Sequence, residues 1–290
     1  MPELPEVETI RVGLNNLIIG KVVKSVKVFD SPRSFPNPPA QVNQFLIGST
    51  VKSARRRAKV LLIDLTADYT LVVHLKMTGQ LVFRGQENFG GGHPTDSLIG
   101  RLPDRSTRVR ISFDDNSELF FNDQRKFGWV KLIPTAEVDQ LDFFRKVGPE
   151  PLDKQTTPSQ FIQRIRRHNG TMVKPAILDQ AVIAGVGNIY ADEALWQAKI
   201  HPQARVRDLS DGQLRELFVA IVDVLTISLD HGGSTDRNYV DAKGEKGSYL
   251  QFAKVFRREG QPCYRHPDVL IEKIRVAGRG THICPVCQQI

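Results

Sequence analysis

The chain opens Met1-Pro2-Glu3-Leu4-Pro5-Glu6, and a proline in second place becomes a reactive group once the initiator Met is removed. Pro2 would then carry a free secondary amine, with carboxylates close behind at Glu3 and Glu6. An α-amino group titrates near about 8, so part of it is neutral and nucleophilic at pH 7. A secondary amine that attacks the anomeric carbon of a sugar passes directly to an iminium, a strong electron sink. Pro5 suits the first turn of a helix, where its missing N–H costs nothing, and helical continuation would set Glu3 and Glu6 on one side of the amine. These residues equally suit a plain helix start, whose first turn favours acids, so the segment by itself leaves both readings open. A second reactive set closes the chain: Cys263-x2-His266 followed by Cys284-x2-Cys287. Three thiolates and an imidazole complete a tetrahedral structural zinc site, although spacing alone does not say that His266 meets the thiols. Between the two pairs, Ile274–His282 reads as two strands and a glycine turn with Arg279 at the tip, a shape suited to probing a nucleic-acid backbone.

Composition narrows the class of partner. The 290 residues suffice for two domains, and 40 Lys+Arg against 32 Asp+Glu give a formal charge of +8. Such a balance suits a polyanion. No apolar run approaches the roughly 18 residues of a membrane span, and no basic-then-apolar leader opens the chain. All the cysteines fall in the terminal segment with CxxC spacing, which favours a metal site in a reducing compartment over a disulfide framework. A cytoplasmic, DNA-associated location is expected.

Elements must hold these groups in place. After an opening helix to about Asn16, short β-branched or aromatic segments (Val22–Val28, Thr50–Ala54, Val60–Leu65, Thr70–Leu75, Arg108–Phe113 and Glu118–Asn122) predict a sandwich or barrel. Ser31–Pro39 and Arg84–Asp104 are rich in Gly and Pro and read as loops, and Gly148-Pro149-Glu150-Pro151 reads as a connection between domains. Beyond it, Pro158–His168, Lys174–Gln180, Ala191–Lys199 and Ser210–Asp230 carry apolar residues at helical spacing. His231–Tyr249 lacks periodicity and reads as a mobile loop. The last 30 residues are too few for a core of their own and call for a staple.

Six motifs stand in series: PELPEVET at the start, Arg56-Arg57-Ala58-Lys59, His74-Leu75-Lys76-Met77-Thr78-Gly79, Asp123-Gln124-Arg125-Lys126-Phe127-Gly128, Gly185-Val186-Gly187-Asn188-Ile189-Tyr190, and the Cys-ended hairpin. Together they resemble the bacterial-type formamidopyrimidine-DNA glycosylases, which excise oxidised purines such as 8-oxoguanine, and the likeness runs from Pro2 to Cys287. The resemblance implies an α+β protein. An N-terminal β-sandwich with an opening helix would span 1–134 and a linker 135–152. A helical domain with a helix–two-turns–helix would span 153–235, and a lesion-capping loop with the zinc-finger hairpin 236–290. It implies a bifunctional glycosylase and abasic-site lyase, monomeric, acting on double-stranded DNA that contains oxidised purines or abasic sites, with one structural zinc and no membrane partner.

The resemblance also implies residue roles. Pro2 would be the nucleophile, Glu3 the acid/base that opens the deoxyribose, Glu6 a supporting carboxylate, Lys59 a group for β-elimination and Arg279 one for the flanking phosphates and δ-elimination. Met77, Arg125 and Phe127 match the trio that fills the void left by a flipped nucleotide. Taken alone, Met77 and Phe127 would more often be core residues, but the flanking Lys76, Arg125 and Lys126 argue against deep burial. Lys174, Asn188 and Ser106 match DNA-contacting positions. Lys243, Gly244 and Tyr249 fall in the loop that closes over the extruded base. Three features depart from the family pattern: His266 in place of a Cys, Ser106 in place of a His, and a longer Phe89–Pro103 loop. Two rival readings are an oxidised-pyrimidine glycosylase of the same superfamily and a catalytically silent damage sensor.

Overall fold

The computed structural model describes residues 2–234 and 248–290, and the chain divides into two compact units. The first, to Arg145 and again over His231–Ser248, starts with helix α1 (Leu4–Ile18). Leu4, Val7, Ile10, Leu14 and Ile18 recur at three- and four-residue spacing and are all fully buried, which is why this segment is helical and which face it hides. Then follow β1 (Val23–Val28), α2 (Pro39–Phe45), β2 (Val51–Arg57), β3 (Val60–Leu65), β4 (Tyr69–His74), β5 (Gly79–Arg84), β6 (Asn88–Gly92), β7 (Thr107–Phe113), β8 (Glu118–Asp123), β9 (Trp129–Pro134) and the short α3 (Asp142–Lys146). Two antiparallel sheets result, in strand orders β1-β7-β8-β5-β6 and β2-β3-β4-β9. Their alternating apolar residues, among them Leu61, Ile63, Leu71, Val73, Leu81, Val109, Phe121 and Val130, join the buried face of α1 in one core. This is the sandwich with an opening helix.

The structure corrects one local expectation and adds elements that the sequence pattern left undelimited. The Gly-rich stretch expected as a loop after Arg84 contains β6, paired with β5 from Arg84↔Asn88 to Gln80↔Gly92. Glycine disfavours strands, but an edge strand needs only backbone pairing, and Phe89 is 2% exposed. Its ring fixes Gly13 of α1, where an added Cβ would lie 2.5 Å from the ring. Strands β5 and β9 were not delimited from sequence, because their flanking residues read first as chemistry. The expected loop to Pro39 ends where α2 begins.

The second unit holds α4 (Pro158–Ile165), α5 (Val173–Leu178), α6 (Asn188–Gln197), α7 (Asp211–Asp230), the short α8 (Tyr249–Phe252) and the hairpin β10 (Glu272–Val276) and β11 (Arg279–Ile283). Thr157 and Gln160 close α4 in a reciprocal capping box. The turn from α5 to α6 is held by one side chain: Gln180 donates to the Leu178 and Val186 carbonyls and accepts from the Gly185 N–H at 2.9 Å. No helix of the described residues is long and apolar enough to cross a membrane.

Candidate functional site

Pro2 is buried directly ahead of α1, and Glu3, 4% exposed, is the N-cap residue. The Glu3 N–H donates to Glu6 Oε2 at 2.8 Å. The other Glu6 oxygen accepts from both the N–H and the hydroxyl of Ser234, each at 2.8 Å. Both carboxylates therefore sit at a helix N-terminus, where the macrodipole favours negative charge.

Lys59 lies in the two-residue turn between β2 and β3, where Ala58 takes a φ of 53° and the Lys59 side chain is 5% exposed. Arg56 fixes this turn to α1: its Nε donates to Glu8 at 3.0 Å and its Nη1 to the Ala58 carbonyl at 2.8 Å. Burial pushes the Glu8 carboxyl up, but Arg11 and Arg56 outweigh it and hold the group below its ordinary range. Asn15 adds a second clamp, accepting from the Ala54 N–H at 2.8 Å and donating to the Ala54 carbonyl at 2.7 Å. His74, opposite Val60 across the β3–β4 pair, is 7% exposed. Burial, reinforced by the charges of Lys76 and Lys59, lowers its pKa to about 3. It is therefore neutral at physiological pH, and its Nδ1 accepts the Lys76 N–H at 3.1 Å.

The expected void-filling trio occupies two turns of the first unit. Met77 lies between β4 and β5 and is 41% exposed, while Phe127 lies between β8 and β9 and is 54% exposed. Neither is a core residue, so the packing alternative fails for both. The Arg125 guanidinium stands 4.8 Å from the centre of the Phe127 ring. Asp123, fully buried, ties the two turns together: it accepts from the Thr78 hydroxyl, from the Gly128 N–H at 2.6 Å and from the Arg125 N–H at 3.2 Å. The Arg125 N–H also reaches the Thr78 hydroxyl at 3.1 Å. Exposed apolar side chains on pinned turns are pre-organised to enter a gap in a base stack.

In the second unit Arg279 opens β11 and is exposed, beside a turn whose Ala277 and Gly278 have φ of 46° and 79°. Gly278 supplies the left-handed conformation that such a two-residue hairpin turn demands. Asn188, the first residue of α6, donates to the Gly280 carbonyl at 3.1 Å and so joins the helix start to the strand that carries Arg279. Beneath lies a buried charge network. Lys174 Nζ is 2.6 Å from Asp192 Oδ1 and 2.8 Å from the Thr281 hydroxyl. Asp192 Oδ2 accepts the His282 N–H at 2.9 Å and lies 3.2 Å from its Nδ1, and His282 Nε2 is 2.8 Å from Glu259. Glu193, 2% exposed, accepts the backbone N–H groups of Lys254, Val255 and Phe256. Burial raises its pKa despite those three donors.

Cys263, His266, Cys284 and Cys287 converge, with ligand atoms all within 4.8 Å of one another. The Cys263–Cys287 sulfurs are 3.8 Å apart, and His266 Nδ1 is 3.2 and 3.9 Å from the Cys287 and Cys284 sulfurs. Tetrahedral zinc with its usual bond lengths needs S···S edges of about 3.8 Å and S···N edges of about 3.5 Å. The four groups fit zinc.

Three residues expected at the DNA are buried in the structure. Lys174 is 0% exposed and ion-paired with Asp192 inside the unit. Ser106, 4% exposed, donates its hydroxyl to Asp104 at 2.6 Å and sits 3.2 Å from the Ser97 hydroxyl. Tyr249, 2% exposed, starts α8, and its ring centre lies 5.3 Å from that of Tyr190. Lys243 and Gly244 lie outside the described residues. Sequence reasoning assigned no role to Asp123, Asp192 or His282. Asp123 stood in a quoted motif, but only the fold shows that it faces inward.

Comparison with known proteins agrees along the whole chain. Residues 1–130 match the formamidopyrimidine-DNA glycosylase N-terminal domain, 147–239 its H2TH domain, and 269–290 the zinc finger found in FPG and IleRS. The chain is 42% identical to a formamidopyrimidine-DNA glycosylase of Herpetosiphon aurantiacus, covering 99% of this chain and 100% of the relative. It is 39% identical to one of Enterococcus faecalis, covering 100% and 98%. Among solved structures, a complex of Lactococcus lactis Fpg with DNA containing an abasic site is similar at a TM-score of 0.87 and 33% identity, covering 99% of this chain and 100% of that one. A complex of a mutant of that protein with Fapy-dG-containing DNA matches at 0.87 and 33%, covering 100% of both.

Proposed function

The chain belongs to the formamidopyrimidine-DNA glycosylase family, and from that premise we propose how its own residues carry out the reaction. The protein is a base-excision repair glycosylase with abasic-site lyase activity, its partner is damaged double-stranded DNA, and it carries one structural zinc. Its substrates are duplexes bearing oxidised purines or abasic sites, and it acts as a monomer in the cytoplasm.

With Met1 removed, the Pro2 amine forms a bond to C1′ of the damaged nucleoside. The glycosidic electron pair leaves with the base. The Glu3 carboxylate, held at the N-cap of α1, takes the proton that the Pro2 nitrogen loses on forming this bond and passes it to the ring oxygen as the sugar opens, leaving a Pro2 iminium. Loss of a C2′ proton then expels the 3′-phosphate, and a second elimination expels the 5′-phosphate. Lys59 and Arg279 serve these steps by meeting the departing phosphates. Glu6 fixes the backbone of Glu3 and the chain at Ser234 together. Met77 and Phe127 fill the vacated stack, and Arg125 meets the base left opposite. Cys263, His266, Cys284 and Cys287 are the zinc ligands, and the metal pins the strand bearing Arg279.

The observation that carries this reading is the exposure of Met77 and Phe127 on two turns clamped by the one buried Asp123, with the Arg125 guanidinium beside the Phe127 ring, which supports entry of these side chains into a base stack. The test is a lesion panel. Duplexes with a single 8-oxoguanine or formamidopyrimidine should be cleaved, and those with a single oxidised pyrimidine much more slowly. Cleavage confined to oxidised pyrimidines would replace this reading with the rival one.

A further inference from the structure

Asp30 follows β1 and is fixed there by the Phe29 N–H, which donates to the Arg108 carbonyl at 2.9 Å. The carboxylate is 63% exposed, yet it bridges two cations from different elements. Arg108, on β7 and 3% exposed, reaches one oxygen with Nη1 at 2.6 Å, and Lys126, in the turn between Arg125 and Phe127, reaches the other with Nζ at 2.9 Å. Arg108 is otherwise held by its Nε on the Asp123 carbonyl at 2.8 Å, so the same buried corner supports the void-filling turn and the bridge. The Lys126 hydrogen bond and the Arg108 charge keep the Asp30 carboxyl below its ordinary range.

We propose that Asp30 is an internal counter-anion of the DNA interface, holding Lys126 and Arg108 as a backbone phosphate would and giving up Lys126 when duplex DNA engages this turn. The inference rests on the reading that Met77, Arg125 and Phe127 enter DNA. A carboxylate and a phosphodiester both present two acceptor oxygens and one negative charge, so they compete for the same ammonium. While Asp30 holds Lys126, part of that lysine's charge is already compensated, and Asp30 itself repels a phosphate. The effect is to lower affinity for undamaged duplex, where no flipped base rewards insertion of the turn.

The experiment measures duplex affinity against salt. Asp30→Asn should bind undamaged duplex roughly two- to fivefold more tightly at low salt, the range set by an exposed ion pair. Its salt slope should steepen by up to about one phosphate contact. Lys126→Gln should flatten the slope by less than one contact in the wild-type background, and by about one in the Asp30→Asn background. Unchanged or weaker binding of folded Asp30→Asn overturns the proposal. So does a slope that ignores Lys126→Gln, and because the Lys126 side chain is 46% exposed, that arm stands even if Asp30→Asn fails to fold. Phe127→Ala separates the two levels. If it impairs excision while Asp30→Asn binds as wild type, only the counter-anion falls. If it has no effect on duplex excision, the reading beneath it falls too.

Discussion

Replacing Lys174 by Met separates a buried structural charge from a DNA contact. The Lys174 and Asp192 side chains are both 0% exposed, with 2.6 Å between Nζ and Oδ1. Removing one member of such a pair strands the other's charge, at a cost of about 3–5 kcal/mol. Here Asp192 retains the His282 N–H at 2.9 Å, so the lower end applies. Met fills most of the volume of the lysine stem, which leaves little cavity penalty to add. A loss of about 3 kcal/mol corresponds to roughly 10 °C in melting temperature for a domain of this size. Asp192→Asn in the same chain removes the stranded charge and should recover part of that loss, a coupling that a double-mutant cycle measures directly. Duplex affinity, measured well below the lowered melting temperature, should keep the wild-type salt slope, whereas Arg279→Ala should flatten it by about one. A Lys174→Met protein that melts like the wild type and loses one unit of slope would refute this reasoning and return Lys174 to the phosphates.

Phe127→Ala should slow excision from duplex DNA with little effect on a single-stranded or abasic substrate, because only the intact duplex has stacking to replace; equal slowing on all substrates would indicate damage to the fold instead. The low His74 pKa of about 3 bears on acid stability. The unfolded histidine titrates near 6.5, so below that pH the unfolded chain binds the extra proton, and stability falls with pH until about 3. The loss is about 1.4 kcal/mol per pH unit across that window, and His74→Gln should show a correspondingly flatter profile by chemical denaturation at pH 7, 5 and 4. Chelation of zinc should abolish DNA binding while the first unit keeps its cooperative melting, since structural zinc supplies folding free energy to its own module. His266→Cys should keep one equivalent of metal and His266→Ala should lose affinity for it, whereas metal content indifferent to both would remove His266 from the ligand set.

The chemistry of this chain was more legible in its sequence than the packing that supports it. Pro2 with Glu3 and Glu6, the paired Cys motifs and the period of α1 are local patterns, and local patterns survive folding. Exposure is not local. The cations in Lys76-Met77-Thr78 and Arg125-Lys126-Phe127 argue against burial of the apolar residue beside them, but what pins the two turns is Asp123, which reaches both from the end of β8. The setting of Lys174 is equally non-local. Its partner Asp192 lies on another helix, and Thr281 comes from a strand far along the chain. Ser106 looked available for a ligand, but Asp104 two residues earlier captures both its hydroxyl and its N–H. Strand β6 was hidden because a glycine run carries no side-chain signal, and only the Phe89 ring against Gly13 shows why the chain pairs there.

The most direct test of the account is to trap the covalent intermediate on an 8-oxoguanine duplex with borohydride and locate the adduct by peptide mass spectrometry. The account predicts a stoichiometric cross-link on a peptide that begins at Pro2, lost in Pro2→Gly together with fast cleavage. An adduct on Lys59 or any other lysine, or full cleavage by protein whose Pro2 is still blocked by Met1, would contradict it.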